Sequence, residues 1–134
     1  MTTPDAEPLP SEDLLLDLDR LHIIATCPAK ALPEVRLRAL LEREVRLLHE
    51  TVLRHFGAEE EGRYMGAVLD RAPDLDETVA RLQAQHAEIS TRLATLAHEC
   101  ATDPLDALRD RAAAILDLIG EHERGELELV EQAR

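Results

Sequence analysis

Apolar residues recur every three or four positions along most of the chain, the period of a helix with one buried face. Leu41, Val45, Leu48 and Val52 form one such seam. Leu75, Val79, Leu82, Ile89, Leu93 and Leu96 form a second, and Leu105, Leu108, Ala112, Ile115, Ile119 and Leu129 a third. A shorter one runs through Leu15, Leu18 and Ala25. Punctuation falls between the seams. Pro28 and Pro33, then Ala72-Pro73-Asp74, then Thr102-Asp103-Pro104 mark turns, because proline lacks the amide donor a helix interior needs. The pattern predicts helices over about 12–27, 34–69, 75–98 and 105–130. Ser11 suits the N-cap of the first, followed by Glu12 and Asp13 where the helix dipole favours acids. Gly57, Gly62 and Gly66 weaken the second half of the second helix. Residues 1–10, with three prolines, read as a disordered tail, and residues 11–134 as one domain. Four amphipathic helices joined by short turns predict an all-α fold, an up-down-up-down four-helix bundle.

Ionisable residues interrupt these seams in a regular way. His22, His55, His86 and His122 each take a seam position, one per helix. Seam positions are about two in seven, so scattered histidines would not fall this way. His49 and His98 lie off the seams and read as surface residues. Glu59 follows His55 by four residues, and Glu126 follows His122 by four, so each carboxylate shares its histidine's face. A charged carboxylate in a core is costly unless paired. The doubled pattern, His then His-x-x-x-Glu and the same again, suits two metal ions in the middle of a bundle, with two glutamates able to bridge them. Imidazole and carboxylate ligands suit iron, zinc or manganese. Glu60 and Glu61 rotate off the seam, and Tyr64 reads as a half-exposed structural residue.

Charge and composition narrow the partners. The formal charge of −13 argues against nucleic acid and against anionic membranes. No apolar run approaches the roughly 20 residues that span a bilayer. The start carries no apolar signal-peptide core, so a cytoplasmic location is expected. Cys27 and Cys100 are too few for a disulfide scaffold or a thiolate zinc site, and read as small semi-buried thiols.

The stretches His55-Phe56-Gly57-Ala58-Glu59-Glu60, Gln85-His86-Ala87-Glu88-Ile89 and His122-Glu123-Arg124-Gly125-Glu126 resemble the hemerythrin-like (HHE cation-binding) proteins over about residues 12–131. That resemblance implies a four-helix bundle around a non-haem di-iron centre. It implies His22, His55, His86 and His122 as terminal ligands and Glu59 and Glu126 as bridging carboxylates. Ser90 and Leu127 stand where the oxygen-carrying members have a further histidine and a carboxylate. The chain thus resembles the six-ligand subgroup, whose irons keep more open positions.

The expected function is binding of, or reaction with, oxygen, peroxide or nitric oxide at two iron ions; a homodimer is compatible with it. In an enzyme the iron pair would perform the redox step, in a pocket walled by Val52, Leu82, Ile89 and Ile119. Two other readings stay open: a regulatory module in which metal or oxygen orders the first helix, and a metal-free helical interaction protein. One register is uneven. With a turn near residue 30, His22 and His55 differ by roughly 25 Å in height along the bundle. Either residues 28–38 do not continue the second helix, or the first helix is placed unusually, or His22 is not a ligand.

Overall fold

The computed structural model describes residues 12–61 and 64–133, with the side chains at 59–61, 64 and 65 outside that description. The expected tail over 1–10, the Ser11 cap and the Tyr64 side chain lie outside the described residues. Among the described residues the chain is all-helical. It contains α1 (Glu12–Thr26), α2 (Glu34–Glu61), α3 (Tyr64–Arg71), a 3-10 turn (Pro73–Leu75), α4 (Asp76–Glu99) and α5 (Leu105–Ala133). The second predicted helix, over about 34–69, is described as α2 and α3, and residues 62–63 between them lie outside the described residues. No described helix is long and apolar enough to cross a membrane.

Three of the four predicted seams are buried. Leu41, Val45, Leu48 and Val52 of α2 are fully inaccessible. So are Ile89, Leu93 and Leu96 of α4, and Leu108, Ala112 and Ile119 of α5. α1 and α4 each pack against both α2 and α5. Leu37 and Phe56 extend the α2 seam at either end. Burying one such Leu or Phe contributes about 1.5–3 kcal/mol.

The core comes in two pieces. The larger spans α1, α2, α4 and α5, and reaches Val52, Phe56, Ile89 and Ile119 at one limit. The smaller joins Val68, Val79, Leu82, Leu129 and Val130. On α4, His86 falls between Ile89 of the first and Leu82 of the second. On α5, His122 and Glu126 fall between Ile119 and Leu129. A polar layer thus divides two apolar volumes.

Arginines close the far end. Arg38 donates to the carbonyls of Cys100 and Asp103 at 2.8 and 2.7 Å. Arg109 donates to those of Ile24, at 3.2 Å, and Cys27. These carbonyls stand at the ends of α4 and α1, where intrahelical donors have run out. Burial pushes the Cys100 thiol above its ordinary pKa, with the nearby Glu42 carboxylate adding to the effect.

α1 departs from its predicted seam. Leu14, Asp17 and Leu21 are buried, whereas Leu15 is 54% exposed and His22 is exposed. The run Leu14-Leu15-Leu16 lets two neighbouring stripes satisfy helical periodicity, and the tertiary partner selects between them. That partner is Thr51 of α2, whose hydroxyl donates to the buried Asp17 carboxylate. Later positions of α1 face earlier positions of α2, since Ile24 shares a groove with Glu44. Counting from Asp17, His22 faces about residue 46, roughly 13 Å along the axis from His55. The uneven register is thereby partly taken up, but not enough to bring His22 level with His55.

This register is testable. Thr51→Val leaves the Asp17 carboxylate without its donor and should destabilise the protein by about 1–3 kcal/mol in urea unfolding. His22→Ala, at an exposed site, should stay within about 0.5 kcal/mol of the parent.

Candidate metal centre

α4 and α5 bring His86, His122 and Glu126 together, all three buried. Seam spacing does this directly: His86 sits one turn from Leu82 and Ile89, and His122 and Glu126 are one turn apart on α5. The Glu126 Oε2 lies 3.1 Å from His122 Nε2 and 3.4 Å from His86 Nε2. A second group of possible ligands consists of His55 of α2 with Glu123 and Glu126 of α5. His55 Nε2 stands 3.7 Å from Glu123 Oε2, longer than a hydrogen bond. Glu126 belongs to both groups, and within each group one ligand atom per residue lies within 4.8 Å of the others.

The chemistry of the donor set fits a cation. Gln85 Oε1 accepts from His122 Nδ1 at 2.8 Å. An amide oxygen can only accept, so the Nδ1 proton is committed to it. His122 Nε2 is left facing Glu126 Oε2, a carboxylate oxygen that also only accepts. A proton or a metal ion between the two reconciles them. Gln85 thereby selects the tautomer that presents Nε2 to the centre, as outer hydrogen bonds of ligating histidines commonly do.

Phe56 sets the ring orientations. Its ring stacks on His86 with centroids 3.9 Å apart and planes 8° from parallel. It meets His122 edge-on at 5.2 Å, and the two imidazoles meet edge-on at 4.6 Å. Gly125 allows α4 to approach, since a Cβ there would lie 3.0 Å from Leu82 Cδ2.

The sequence candidates are placed as follows. His55, His86, His122 and Glu126 come together. The Glu59 side chain lies outside the described residues. His22 enters neither group; it is exposed and lines a groove between α1 and α5, because the α1–α2 register leaves it short of His55. Glu123 joins the candidate set although the seams did not single it out. It is one residue past His122, about 100° round the helix, so periodicity puts it on a flank. That flank faces His55 across the bundle. Its place directly after His122 was the only local signal. Gln85 and Phe56 carried no ligand chemistry and become visible only through their contacts.

The profile of the Hemerythrin HHE cation binding domain matches residues 16–132. The chain belongs to the hemerythrin HHE cation-binding family. Comparison with curated proteins finds no match, and neither does comparison with solved structures. In this hemerythrin-like chain the family's cation-binding character coincides with one buried and one partly buried group of histidines and glutamates that could hold a cation.

Gln85→Leu removes the acceptor for His122 Nδ1–H. Metal affinity should fall about 10–100-fold in competition titration against a chelator, with every candidate ligand still present.

Proposed function

We propose that this hemerythrin-like protein holds two iron ions bridged by carboxylate, and binds or reacts with oxygen, peroxide or nitric oxide there. The observation that carries the reading is the sharing of Glu126 between two histidine-containing groups. His86 and His122 would serve one ion and His55 and Glu123 the other. Glu126 would lie between them, with Glu59 on α2 as the second carboxylate. Zinc and manganese suit the same donors. The up-down-up-down bundle belongs to this reading. It is supported by the hydrogen bonds that tie the start of α2 to the end of α4 and the start of α5 to the end of α1.

Two irons held by few protein ligands supply open coordination positions and a redox couple. The chain's own residues do the rest. Glu126, almost wholly inaccessible, supplies anionic oxygen in a dry layer where charge interactions are strong. Gln85 holds the His122 proton on Nδ1, and Phe56 keeps the His86 ring in one plane. A groove of about 430 Å³ bordered by Leu53, Phe56, His86 and Ser90 reaches the His86 side from the surface. It is large enough for a diatomic molecule or peroxide.

Protein loaded with ferrous salt in air should retain about two irons per chain and show near-ultraviolet oxo-di-iron absorption. Glu126→Ala should lose both ions, and Glu123→Ala should keep about one. A chelator should lower the Tm of the parent. If iron does not bind, and His122→Leu is more stable than the parent, the metal-free interaction reading replaces this one.

A further inference from the structure

We propose that the groove between α1 and α5 is the route by which divalent cations reach the centre, with Asp19 and His22 forming a transient docking pair at its mouth. The proposal rests on the metal-centre reading above. The groove encloses about 340 Å³ and is lined by Leu18, Asp19, His22, Ile119 and Glu123 among others. Asp19 and His22 are exposed and three residues apart, so they share a face of α1. Among the described residues neither side chain makes a hydrogen bond or ion pair. Glu123 is the inner end. Its side chain is 16% exposed, and its Oε2 is buried, without a hydrogen bond, 3.7 Å from His55 Nε2.

A hydrated dication sheds water only where other ligands replace it. This groove offers a carboxylate and an imidazole outside and a carboxylate within. Among the described residues, no carboxylate lines the groove beside Phe56 and His86. It suits uncharged molecules better. The net charge of −13 draws cations toward the surface generally, and the Asp19–His22 pair gives them a place to stop in the groove that Glu123 also lines. His22 thus has a role toward metal without standing in the final ligand set.

The test mixes metal-free protein with cobalt(II), followed by its visible absorption. The double variant Asp19→Asn/His22→Ala should load roughly tenfold more slowly, with a weaker salt dependence of the rate. The final absorbance, stoichiometry and affinity should be unchanged. Release to excess chelator should slow by the same factor, because a docking station alters both directions equally. Wild-type loading rates in the double variant would overturn the route while leaving the centre intact. Reduced stoichiometry or affinity in His22→Ala would also overturn it, making His22 a ligand. A parent protein that takes up no cobalt would overturn the centre, and the route with it.

Discussion

A carboxylate that water cannot reach, placed against two imidazoles, is the constraint from which the rest follows. Glu126 is 1% exposed, and His122 beside it is fully inaccessible. Removing such charge from water costs several kcal/mol per ion unless a partner compensates it. The chain accepts that cost on α5 and surrounds it with directed contacts: Gln85 on His122, Phe56 on His86. It also interrupts the core there. The apolar cluster shared by α1, α2, α4 and α5 and the smaller one around Val68, Leu82 and Leu129 stand on either side of this layer. The large apolar volume carries stability, and the polar layer is free to carry chemistry.

The two halves of the layer are unequal. The His86 side is tightly arranged, with a stacked phenyl ring and a hydrogen-bonded neighbour. On the His55 side, Glu123 Oε2 of α5 stands 3.7 Å from the imidazole Nε2. α1 lies beside that second half, and its His22 stands in neither of the two candidate groups found among the described residues. The Asp17–Thr51 bond inside the interface and the Arg109 bonds at the end of α1 hold it in that position. The exposed Leu15 and Ile23 show that its apolar residues exceed what one register can bury.

Reading residues alone settled a good deal. Helical periodicity and proline placement gave the order of the helices, and three of four seams coincide with buried faces. The positions of His55, His86, His122 and Glu126 on those seams were also legible, because a residue in phase with buried leucines is carried inward with them. Family membership was legible in the same stretches, and the domain profile over residues 16–132 agrees.

Tertiary structure decided the remainder. α1 offers Leu14, Leu15 and Leu16 in succession, and local spacing cannot choose among neighbouring stripes; the bond from Thr51 to Asp17 chose. That choice left His22 outside, although its phase with Leu15 and Leu18 matched a seam. Glu123 joins a candidate ligand group with His55 because α5 faces α2 across the bundle at that height, a relation no local pattern encodes. Periodicity fixes which way a side chain points from its own helix. Which groups meet depends on how far one helix has slid along another, and only packing of the whole chain sets that.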